Sequence, residues 1–142
     1  MIRSTIQKFV KSIGTVPIEI MKSAQRGDSF RSFNKKEVAA LNEFKNALQK
    51  KAGREIRSVT LFGSKARGDY RKNSDIDMLA IVTHRKKAEL IIYSIVAEIL
   101  EKYYVDLSVI TYTENDLENC YRKGSLFLRE VERDGRVIWT GN

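Results

Sequence analysis

The sequence predicts an α+β fold built in α/β-type layers, a small β-sheet backed by helices, and three observations carry that reading. Branched apolar residues gather in three short runs, residues 56–62, 76–82 and 105–110. Such residues suit a pleated, half-buried surface. Before, between and after these runs lie stretches whose apolar residues recur at helical spacing. The chain has 142 residues, 42% of them hydrophobic and 31% charged, which is enough for one core without disulfides or structural metals.

Ile2, Ile6, Phe9, Val10 and Ile13 mark an amphipathic helix, for which Gly14 offers a stop. Pro17, the only proline, suits an early position of a second short helix in which Ile18, Met21 and Ala24 share a face. The polar "QRGDSFRSFN" reads as a loop, and its Arg-Gly-Asp as turn chemistry, since an N-terminal stretch interrupted by Lys8, Lys11 and Glu19 is not expected to act as a signal peptide. Asn34 and Glu37 have capping-box spacing, opening a helix whose stripe of Val38, Leu41, Phe44 and Leu48 ends near Gly53.

A further helix is expected at residues 86–103. Its Leu90, Ile91, Ile95, Val96, Ile99 and Leu100 cover a broad face that should pack on the sheet. After the third strand, Thr113 caps a short helix through Cys120, Ser125 caps another through Arg133, and "DGRVIW" turns into a closing strand. The expected organisation is a basic helical extension, residues 1–33, ahead of one domain, residues 34–142.

The net charge of +8 is unevenly placed: residues 1–55 carry 12 Lys/Arg against 5 Asp/Glu, whereas the rest is nearly balanced. A basic N-terminal part suits an acidic protein or nucleic acid, the latter not favoured, and equally a solvated helix face. No apolar run is long enough to cross a bilayer, so a membrane role is not expected. The lone Cys120 suits a reducing compartment, and a cytoplasmic location is the expectation. Cys120 and the lone His84 read as ordinary structural residues.

The chemistry concentrates in "LFGSKARGDYRKNSDIDMLAIV", Leu61 to Val82. Asp75 and Asp77, two apart on a strand, project to the same side, roughly 7 Å apart along the chain. Two anions so close repel, and one protonates unless a cation lies between them. Magnesium, which takes oxygen ligands and substrate phosphates, fits that place. Ile76, Met78, Ala80 and Val82 alternate to the other face, so one strand is expected to serve both a core and an acidic surface. The Gly63-Ser64 break lets backbone approach a ligand, with N–H groups of the next turn available to phosphate. Ser64 can donate its hydroxyl, and Lys65 and Arg67 add positive charge. No Walker or Rossmann glycine pattern is present.

Gly-Ser, ten residues, then Asp-x-Asp, written "GSKARGDYRKNSDID", resembles the polymerase-beta-type nucleotidyltransferases and, in size, the minimal nucleotidyltransferase (MNT) family most closely. The resemblance runs from about Lys35 to Trp139 and leaves residues 1–33 outside. It implies a polymerase-beta-like fold with a small mixed sheet, and a third carboxylate, supplied here by Asp106 in "YYVDLSVI". It further implies two Mg²⁺ ions on Asp75, Asp77 and Asp106, with Gly63, Ser64, Lys65 and Arg67 on the phosphates of ATP. The implied reaction transfers AMP to a hydroxyl, in the leading case a tyrosine of a HEPN ribonuclease toxin that the protein neutralises as antitoxin. A contact-only antitoxin and a homodimeric enzyme acting on a small molecule are the alternatives. Lys65, where relatives often carry arginine, and Met78 are mild departures from the pattern.

Overall fold

The computed structural model describes residues 2–13, 33–67 and 75–141; the short helix expected near residues 17–24 and most of the loop after it lie outside the described residues. In chain order the elements are α1 (Ile2–Ile13), α2 (Lys35–Lys51), β1 (Ile56–Phe62), α3 (Gly63–Arg67), β2 (Ile76–Val82), α4 (Arg85–Tyr103), β3 (Leu107–Thr113), α5 (Glu114–Lys123), α6 (Leu126–Asp134) and β4 (Arg136–Thr140).

Local chemistry explains where the helices begin. At the start of α2 the Glu37 N–H donates to Asn34 Oδ1 at 2.8 Å, and the Asn34 N–H donates to Glu37 Oε1 at 3.0 Å. This reciprocal arrangement satisfies two donors that a helix end otherwise leaves unpaired. Thr113 and Asp116 repeat it at α5, and Ser125 caps α6 through the Leu128 N–H.

The sheet has strand order β3-β2-β1-β4. β1 pairs antiparallel with β2 and with β4, while β2 and β3 are parallel, so the sheet is mixed and α4 is the crossover that a parallel pair requires. β3 starts later and runs further than residues 105–110, because its register with β2, from Ile76↔Leu107 to Val82↔Thr113, continues for the full length of β2. Val105 and Asp106 therefore precede the strand.

One face of the sheet packs on α2 and α4. Leu41, Phe44 and Leu48 of α2, Val59 and Leu61 of β1, Met78, Ala80 and Val82 of β2, and Ile92, Ile95 and Ile99 of α4 form this core. The opposite face is covered too: Leu79 and Ile81 of β2 meet Ile6 and Phe9 of α1, Leu117 of α5, and Leu128 and Val131 of α6. This corrects the expectation that one side of β2 is simply an acidic surface. As a central strand with helices on both faces, β2 leaves only its N-terminal end for charge.

A second correction concerns α4. Its buried residues are Ala88, Ile92, Ile95 and Ile99. Leu90 and Leu100, expected against the sheet, are 75% and 44% exposed. The helix is apolar around much of its circumference, so periodicity alone left its rotation ambiguous. No helix among the described residues is long and apolar enough to cross a membrane.

Candidate active site

Phe62, the last residue of β1, pairs with Asp77 of β2, which brings the following turn against that aspartate. Gly63 makes the turn with φ +80°, and a Cβ there would lie 2.6 Å from Asp77 Oδ2. Glycine is the residue that permits both the left-handed backbone and so close a carboxylate. Sequence reading gave Gly63 to a ligand's approach; the structure shows that it also makes room for Asp77.

Asp75 is exposed just before β2, and Asp106 is exposed just before β3. The Ile76 N–H donates to the Asp106 carbonyl at 3.2 Å, tying these two entrances together. Carrying the parallel register back one step from Ile76↔Leu107 sets Asp75 beside Asp106. By strand alternation, Asp75, Asp77 and Asp106 all belong to the sheet face opposite the α2–α4 core. The fold thus gathers them at one end and on one face of the sheet. Among the described residues, no three Asp, Glu, His or Cys side chains close into a cluster able to hold a metal ion.

Farther along the same face the surface becomes apolar. Phe62 meets Phe127 of α6 edge-on at 5.2 Å between ring centroids, and Tyr112 of β3 meets it at 6.0 Å. These rings belong with Leu79 and Ile81 to the second core, so Asp77, which is half-buried, sits at the boundary between packed hydrocarbon and the open end of the sheet.

Lys65, expected beside the phosphates, turns its ammonium inward. It is 3% exposed, with Nζ 3.0 Å from Glu37 Oε2 and 3.1 Å from Glu37 Oε1. The Phe33 ring centroid lies 6.0 Å from the same Nζ. Lys65 therefore ties the turn after β1 to the first turn of α2, where Glu37 already belongs to the capping box. Its neighbour Ala66 is buried in the same core. Buried charge requires such pairing. Sequence reading found Glu37 as a cap and missed this second role, because a pair 28 positions apart has no local signature. Ser64 and Arg67 are residues of α3, but their side chains, like all of Gly68 and Asp69, lie outside the described residues.

A family model described as a nucleotidyltransferase domain matches residues 41–136. The chain belongs to the nucleotidyltransferase-domain family. The match contains the Gly63 turn and all three aspartates, and leaves α1 outside. The nucleotidyltransferase is 38% identical over 103 residues to "Putative protein adenylyltransferase MJ0604" of Methanocaldococcus jannaschii, covering 72% of this chain and 98% of that protein. It is 33% identical over 81 residues to "Putative protein adenylyltransferase MJ1305" of the same organism, covering 54% of this chain and 55% of that protein. A solved chain from a toxin–antitoxin crystal structure with AMP-PNP superposes with a TM-score of 0.48 at 20% identity, over 72% of this chain and 74% of that one.

Proposed function

We propose that this nucleotidyltransferase moves AMP from ATP onto a protein hydroxyl, a tyrosine of a HEPN-type ribonuclease toxin, and so acts as that toxin's antitoxin. The observation that carries the proposal is the Asp77 carboxylate lodged against the Gly63 turn, at the sheet end where Asp75 and Asp106 also emerge. The names of the two Methanocaldococcus relatives support a protein acceptor and an adenylyl group. The tyrosine and the HEPN partner rest on the minimal-nucleotidyltransferase resemblance.

Three carboxylates from adjoining strand ends are hard oxygen donors of the kind Mg²⁺ takes, so the donor set fits that ion. When bound there, a pair of Mg²⁺ ions supplies charge neutralisation to the attacking and leaving oxygens. Asp75 and Asp77 are its proposed holders, with Asp106 on the acceptor side. The Gly63–Ser64 backbone is proposed to offer its N–H groups to the triphosphate, with Arg67 adding positive charge. Lys65 acts one step removed, holding α3 on α2 through Glu37. In the transfer, the acceptor oxygen bonds to the α-phosphorus, its proton passes to Asp106, and the bond to the departing pyrophosphate breaks.

Residues 34–142 are the proposed catalytic unit, residues 1–33 a basic extension, and the cytoplasm the proposed location. The test is co-expression with the product of the neighbouring gene, purification of the pair with ATP and Mg²⁺, and mass spectrometry of both chains. The expected result is one or more AMP groups on a partner tyrosine, lost in Asp77→Ala while the complex still forms. An unmodified partner that is nevertheless fully neutralised would replace this reading with contact-only inhibition. AMP transfer to a small acceptor in the absence of any partner would point to the small-molecule enzyme.

A further inference from the structure

We propose that α4 is a homodimer interface, on which the α4 of a second copy of this chain packs antiparallel about a two-fold axis. The outward face of α4 carries Leu90, Tyr93, Ala97 and Leu100, and Tyr104 continues the line just past its end. Leu90 is 75%, Tyr93 51%, Leu100 44% and Tyr104 82% exposed. The inward face, Ala88, Ile92, Ile95 and Ile99, is already buried on the sheet. A helix at the surface of a globular protein needs one apolar stripe. This one has two, and the outer stripe steps by three and four residues alternately, which is the seam spacing of paired helices.

Charge identifies the occupant. Lys86 and Lys87 are exposed at the start of α4, and Glu98 and Glu101 are exposed toward its end. In an antiparallel pair, Leu90 faces Leu100 of the partner subunit and Tyr93 faces Ala97 of the partner subunit. That register sets Lys87 beside Glu101 of the partner subunit, and symmetry repeats the contact at the other end. A parallel pair would set Lys86, which lies on the seam seven residues before Tyr93, against its own copy, which is repulsive. The surface is thus complementary to itself in one orientation, as an isologous contact requires. The carboxylates of the candidate active site belong to the opposite sheet face, so the dimer leaves both sites open.

A single helix pair buries on the order of 1,000 Å² in total, near the lower bound for a specific interface, so micromolar dissociation is expected. Sedimentation velocity on the full chain from about 1 to about 200 µM should show a concentration-dependent monomer–dimer equilibrium. Leu90→Glu and Leu100→Glu, both at exposed positions, should weaken it at least about tenfold without lowering the melting temperature of the dilute protein. Lys87→Glu and Glu101→Lys should each weaken the dimer, and the two together should restore it, a rescue that mere misfolding cannot produce. A wild-type chain that stays monomeric throughout that range overturns the proposal and leaves the stripe to a different protein. A dimer indifferent to Leu90→Glu and Leu100→Glu overturns it by placing the interface elsewhere.

Discussion

Replacing Gly63 with alanine probes the closest approach in the candidate active site. The backbone there has φ +80°, where an L-residue pays about 1–2 kcal/mol. The new methyl would lie 2.6 Å from Asp77 Oδ2 but 3.4 Å from Asp77 Cβ and Cγ, so the conflict is with one carboxylate oxygen alone. A rotation that moves this oxygen by several tenths of an ångström relieves it. That movement is cheap for stability and expensive for chemistry, because a misplacement of about 1 Å at a reacting centre can lower a rate by about a hundredfold. Gly63→Ala is therefore expected to lower the melting temperature by roughly 3–8 °C and the rate of AMP transfer by about ten- to a hundredfold. Thermal unfolding and transfer of labelled AMP from ATP measure the two effects. In an Asp77→Ala background the steric conflict is absent, so the stability loss should be no greater than in the parent. Full activity with an unchanged melting temperature would refute the tight Gly63–Asp77 approach.

Lys65→Met leaves the buried Glu37 without this ammonium and is expected to cost about 3–5 kcal/mol in urea unfolding. Adding Glu37→Gln, which keeps a capping acceptor and removes the charge, should recover part of that loss; a single-variant loss below about 1 kcal/mol would contradict the buried pair. Asp77→Asn is nearly isosteric, so transfer should fall at least about a hundredfold while the melting temperature holds. Chelation with EDTA should abolish transfer and added Mg²⁺ restore it. For Asp116, burial pushes the carboxyl upward, but the Thr113 N–H and hydroxyl and the Arg85 guanidinium outweigh burial and hold it below its ordinary value. A depressed folded pKa contributes stability above the unfolded value of about 3.9 and loses it as pH falls through the folded one. The stability gap between wild type and Asp116→Asn should accordingly be open at about pH 6 and narrow as the pH falls below about 3.9, as urea titrations at several pH values would show.

Much of the candidate site was legible because its signals are short-range. A glycine break ending one apolar run and two aspartates opening the next needed only strand alternation to be placed on a common face. Asp106 emerges beside Asp75 although the strand after it begins two residues later than expected, since it is the register with β2, not the local run, that decides where β3 starts. Lys65 was misplaced for the opposite reason: its partner Glu37 belongs to another helix, and nothing near Lys65 announces it.

Capping residues, branched apolar runs and the glycine turn act over a few bonds, so the order of helices and strands, the boundaries of β1 and β2 and the acidic pair follow from the sequence by itself. Which side of α4 is buried, the second core that brings α1 against Leu79 and Ile81, the meeting of Lys65 with Glu37 and the pressing of Gly63 on Asp77 were decided only in the tertiary structure. Those choices depend on shape and charge carried by residues distant in the chain, which acquire a common location only once the sheet has assembled.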